Sequence, residues 1–112
     1  MNWPNIVFSE KEKQKFQEMA VTLELKLATD SKNFKDLERF SEYPPLVEAI
    51  RLAKEKKIDT PFVVPNTNYW FFETEISDWM RWEGTGILSK FLLAIEGFPY
   101  EEIKDDDLPN DA

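Results

Sequence analysis

The sequence predicts a mainly α protein, a compact single-domain bundle of four to five helices. Three observations carry this. Apolar residues recur at helical spacing in 10–28 and again in 87–96. Helix start and stop signals sit where those runs begin and end. At 112 residues and 42% hydrophobic composition, the chain can bury one core and is sized for one domain. Residues 1–104 are expected to form the globular part and 105–112 an acidic tail. The alternative is an α+β fold with a short β-hairpin around 62–72.

Met1–Phe8 reads as an extended arm holding Trp3 and the run Ile6-Val7-Phe8. Ser9 with Glu12 three residues on makes a capping box, and Phe8 before it could supply a hydrophobic staple. The first helix, 10–28, carries two apolar stripes. Phe16, Met19, Ala20, Leu23 and Leu27 line one side, and Val21, Leu25 and Ala28 the other. Such a helix is either central in the fold or covered by a partner. Burial at the centre is the ordinary explanation.

Thr29-Asp30-Ser31 ends that helix, and a short one follows over 32–40 with Phe34, Leu37 and Phe40. Tyr43-Pro44-Pro45 stops one helix and starts the next, because Pro suits a first turn and restricts the residue before it. Leu46, Ala49, Ile50 and Ala53 form the inner face of this third helix. Lys54-Glu55-Lys56-Lys57 brings positive charge to its C-terminal pole, where it stabilises. Residues 59–65 read as extended, with Pro65 keeping Val64 out of the helical region. At the far end, Ile87, Leu88, Phe91, Leu92 and Ile95 make the buried side of a last helix. Gly97 is its Schellman-type stop, and 99–106 could add one further turn.

Between them lies the aromatic stretch 69–83. As one helix it places Tyr69, Phe72, Ile76, Trp79 and Met80 in a single stripe, with Trp70, Phe71 and Trp82 off it. As strands, 62–64 and 69–72 would pair across Asn66-Thr67-Asn68. The helical reading is preferred.

Composition narrows the chemistry. The chain has no Cys and no His, which excludes a disulfide framework, a thiolate nucleophile and a Cys/His zinc site. The side chain best suited to proton transfer near neutral pH is also missing. No metal site or cofactor is expected, and no enzymatic activity. Gly84-Thr85-Gly86 lacks the length and the Lys of a phosphate-binding loop. No apolar run reaches the length of a membrane span, and the first residues lack a signal-peptide pattern, so a cytoplasmic address is expected.

The net charge of −8 is one-sided, because residues 1–65 are balanced and the whole excess lies in 66–112. A negative field repels phosphates, so a basic protein is the expected partner rather than nucleic acid. The candidate contact residues are Trp70, Glu73, Glu75, Asp78, Trp79, Trp82 and Glu83, with indoles as anchors and acids to orient a cationic partner. Small size, acidity and the absence of catalytic groups point to a bacterial inhibitor, an immunity protein or antitoxin that neutralises a basic toxin such as a nuclease. A phage-type anti-defence protein mimicking DNA ranks second. An enzyme working with paired carboxylates alone ranks third.

Overall fold

The computed structural model describes residues 7–98. The expected arm before residue 7 and the expected turn and tail after residue 98 lie outside that range. The described chain is all helical: α1 (Glu10–Asp30), α2 (Lys35–Ser41), α3 (Pro44–Lys54), α4 (Thr67–Glu73), α5 (Ile76–Glu83) and α6 (Ile87–Ile95), with no strand among the described residues. Six helices replace the expected four to five, because the short α2 is kept and 69–83 divides in two.

α1 is the element on which the others assemble, packing against α2, α3 and α6. Its capping box forms as expected: the Ser9 hydroxyl accepts from Glu12 N–H, and the Glu12 carboxylate accepts from Ser9 N–H. Phe8 sits edge-on to the Phe16 ring at 4.8 Å, while its N–H donates to the Asp59 carbonyl. The inner stripe Phe16, Ala20, Leu23 and Leu27 is buried with Leu37, Phe40, Leu46, Ala49, Trp79, Leu88, Phe91 and Ile95 in one core. The second stripe corrects the expectation for this helix. Val21, Leu25 and Ala28 are exposed, so α1 is buried on one side only.

Two helix ends close with Schellman geometry. After α6, Gly97 at φ 98° lets its own N–H reach Ala94 and lets Phe98 N–H reach Leu93. After α3 the same two bonds run from Lys56 to Ala53 and from Lys57 to Leu52, with Lys56 in the left-handed region at φ 59°.

The hairpin alternative at 62–72 is not realised. Pro61 and Pro65 have no N–H to give to a ladder. Phe62 spends its N–H on the Ile95 carbonyl at the end of α6. The aromatic run that would have been the second strand is helix α4.

Candidate functional site

The aromatic stretch folds as a pair of short helices, α4 and α5, packed on each other, with α5 seated on α2. The chain enters α4 through Asn66, whose backbone is left-handed at φ 63°, a conformation Asn tolerates better than most residues. Tyr43 fixes this entrance: its hydroxyl donates to the Pro65 carbonyl (2.9 Å) and accepts from the Asn66 amide (3.1 Å).

The break between α4 and α5 has a side-chain cause. Thr74 is extended, its hydroxyl donating to the Trp70 carbonyl and accepting from Ile76 N–H at 3.2 Å. Glu75 N–H is taken by Asp36 of α2 at 2.9 Å. These bonds satisfy the backbone groups that a helix terminus leaves orphaned, so stopping costs little. The break also re-aims the rings. Rather than one continuous inner stripe, Trp70, Ile76 and Trp79 turn inward, while Tyr69 and Phe72 turn out.

The seven sequence candidates separate into two groups. Trp70 is buried against Phe40 (4.9 Å) and Tyr43 (5.5 Å), with the Arg39 guanidinium over its ring at 5.3 Å. Arg39 is held in turn by Asp36 at 3.0 Å. Trp79 is fully buried, its indole N–H donated to the Asp30 carboxylate. The Glu83 side chain is only 3% exposed and forms a 3.0 Å ion pair with Lys26 of α1. Burial alone would push its carboxyl up, but hydrogen bonds from Thr85 and Lys26 outweigh that and hold it below the usual carboxylate range. Trp70 and Trp79 belong to the core, and Glu83, half-buried as a residue, ties α5 to α1 beside them.

Trp82, Glu73 and Asp78 are at the surface, and Glu75 is half-buried beside them in sequence. Trp82 is 60% exposed, one side of its ring resting on Phe34 at 5.5 Å. Asp78 is bonded to Arg81 of the next turn at 2.6 Å. Sequence reasoning missed Phe72, which is 79% exposed, and Tyr69, whose hydroxyl meets Arg39 at 3.4 Å. Phe72 lines an open, largely apolar groove of about 510 Å³ with Phe71, Ser77, Met80, Arg81 and the backbone of Gly84 and Gly86. The signal that could have found Phe72 was Thr74, a weak helix former that bonds its own backbone and so interrupts the stripe.

Comparison with protein-family models, curated proteins and solved structures finds no match.

What the arrangement can do therefore rests on its own chemistry. Large apolar rings standing in water, an apolar groove beside them and carboxylates nearby form a surface suited to contact with another molecule. A second groove, about 480 Å³, runs between α1 and α3 and holds Glu24 and Glu55. Glu24 is bonded to Lys54 at 2.7 Å, and Glu55 to Arg51 and Lys57 at 3.2 Å each. Among the described residues no helix is long and apolar enough to cross a membrane, and no group of three acids is disposed to hold a metal ion.

Proposed function

We propose that this chain is a protein-binding inhibitor of the immunity-protein or antitoxin kind, which neutralises a basic bacterial toxin, such as a nuclease domain, on the α4–α5 arm. One observation carries it: Phe72 and Trp82 stand in solvent on the two short helices of a single arm. Rings of this size recover hydration free energy only when something covers them, at roughly 25 cal/mol per Å² of apolar surface. Glu73, Glu75 and Asp78 on the same arm would meet cationic side chains at the rim, where charge sets orientation and association rate more than affinity.

The roles within the original set change accordingly. Trp82, Glu73, Glu75 and Asp78 contact the partner together with Phe72 and Tyr69, while Trp70, Trp79 and Glu83 hold the arm in place from beneath. The DNA-mimic reading is weaker, since a mimic needs rows of unpaired carboxylates, and Asp78 and Glu83 are each matched to a cation. A carboxylate-only enzyme needs one acid kept protonated. In the α1–α3 groove, the hydrogen bond from Lys57 instead holds the Glu55 carboxyl below its ordinary value.

The test is co-expression of the full chain with the protein encoded beside its gene, followed by calorimetric titration of any complex at low and high salt. Binding should weaken as salt rises, and Trp82→Ala and Phe72→Ala should each weaken it about tenfold or more, as truncation of an aromatic anchor does. A complex indifferent to both truncations, or the absence of any basic partner, would overturn the proposal.

A further inference from the structure

The outer side of α1 is an apolar face that the fold leaves uncovered. Val21, Leu25 and Ala28 follow one another at four and three residues, so they form a single stripe about 10 Å long at the helical rise. Leu25 is 66% exposed. The stripe borders the seam between α1 and α3, where Ala28, Val47 and Ile50 line one groove and Gln17, Val21 and Thr22 another. Val47 is itself exposed.

Charge chooses the occupant. Glu18 lies on the stripe one turn before Val21, and Lys32 lies just past the end of α1, with helical backbone continuing through Ser31. Neither Glu18 nor Lys32 forms an ion pair among the described residues. Glu18 accepts a hydrogen bond from the Gln14 amide at 3.1 Å, and each end of the stripe carries one charge, of opposite sign, outside any ion pair of the described residues. A uniformly acidic or basic partner would satisfy one end and be repelled by the other. A second α1 running antiparallel satisfies both. With the two-fold axis at Leu25, this residue meets its own copy, Val21 lies level with Ala28–Thr29, and Glu18 lies level with Lys32 of the other chain.

We propose that this face pairs with the same face of a second copy of the chain, forming an antiparallel, isologous α1–α1 contact. The contact closes on itself, so it ends at a dimer. Three apolar side chains from each copy and two charge pairs per dimer make a small interface of the weak, reversible class. Antiparallel helices also place opposite macrodipole ends together. The α4–α5 arm contributes nothing to this contact, so the proposal stands apart from the inhibitor reading.

Sedimentation equilibrium of the full chain from micromolar to millimolar concentration tests it. The expected result is a reversible monomer–dimer equilibrium. Leu25→Glu should abolish it, and Leu25 is exposed enough that circular dichroism and thermal stability should stay those of the parent. Glu18→Lys and Lys32→Glu should each weaken dimerisation about tenfold, since every reversal acts twice across the axis, and the double swap should restore it. A chain monomeric throughout the range overturns the proposal. So does a dimer indifferent to Leu25→Glu, one broken by Phe72→Glu instead, or one that the double swap fails to restore.

Discussion

The indole nitrogen of Trp79 donates a 2.9 Å hydrogen bond to the Asp30 carboxylate, tying the middle of α5 to the last residue of α1. Both residues are buried. Asp30 sits at the negative pole of its helix, in a last turn without basic residues, where an acid is otherwise unfavourable. The indole compensates for that placement. Asp30→Ala strands a buried N–H and should cost about 1–3 kcal/mol. Asp30→Asn keeps an acceptor and removes the charge, so it should cost less. Urea unfolding at constant m-value measures both. If Asp30→Ala lies within about 0.5 kcal/mol of the parent, the range of an idle surface position, the bond is not holding α5 to α1.

Lys26 and Glu83 make a second tie between the same helices, and this one is sensitive to pH. The folded-state pKa of Glu83 lies below its unfolded value of about 4.3, so the unfolded chain binds more protons between the two. The pair's stabilisation is complete above the unfolded value and is lost as pH falls through the folded one. Lys26→Met should cost about 1–3 kcal/mol at neutral pH, since it leaves a nearly buried carboxylate without its cation. The variant should also unfold with a shallower acid dependence than the parent. Glu83→Lys sets its ammonium group against that of Lys26 and should destabilise more, which makes Glu75→Lys the cleaner charge reversal for partner binding.

Exposure separates anchors from core, and mutational cost should follow it. Phe72→Ala and Trp82→Ala should change stability by under about 1 kcal/mol, with Trp82 losing its ring contact to Phe34. Leu23→Ala and Phe91→Ala, at fully buried positions, should each cost about 2–5 kcal/mol. Iodide quenching gives a second view: Trp82→Ala should remove accessible emission, and Trp79→Phe should remove protected, blue-shifted emission. A Trp82→Ala variant that unfolds like Leu23→Ala would mean the ring supports the core.

The elements read correctly from sequence are those whose signals are local. The Ser9–Glu12 box, Pro44-Pro45 and Gly97 each fix a helix boundary through bonds within a few residues. The aromatic stretch depends on distant partners. Whether 69–83 is one helix or two turns on the local bonds of Thr74 together with Asp36 accepting from Glu75, 39 positions away, and periodicity carries no trace of that distant bond. The same holds for the candidate surface. Composition placed indoles and acids together, yet Trp79 and Glu83 are withdrawn by Asp30 and Lys26 of α1. The two stripes of α1 were legible, but a pattern cannot tell which stripe the fold will cover.

Lys56 occupies the left-handed position of the Schellman turn after α3, at φ 59°. An L side chain is strained there by roughly 1 kcal/mol, and glycine is not. Lys56→Gly should therefore raise stability by up to about 1 kcal/mol, less whatever the extra freedom of the unfolded chain takes back. Thermal unfolding reads the sign. A destabilised variant would mean that the Lys56 side chain contributes more than its backbone costs.

Glu96 closes α6 at its C-terminal end, and burial pushes its carboxyl above the ordinary value. The sign is opposite to that of Glu83. Between the unfolded and the folded pKa the native state binds more protons than the unfolded chain, so stability falls as pH rises through that window. Above it the full cost of an ionised, partly desolvated acid is present, and the negative pole of α6 adds to it. Glu96→Gln keeps the shape and removes the charge. At neutral pH it should melt above the parent, and the gap should close as pH drops below the carboxylate range, where both side chains are neutral. Melting curves at a series of pH values decide it. An equal or lower melting temperature at neutral pH would show that the Glu96 charge is compensated by its surroundings.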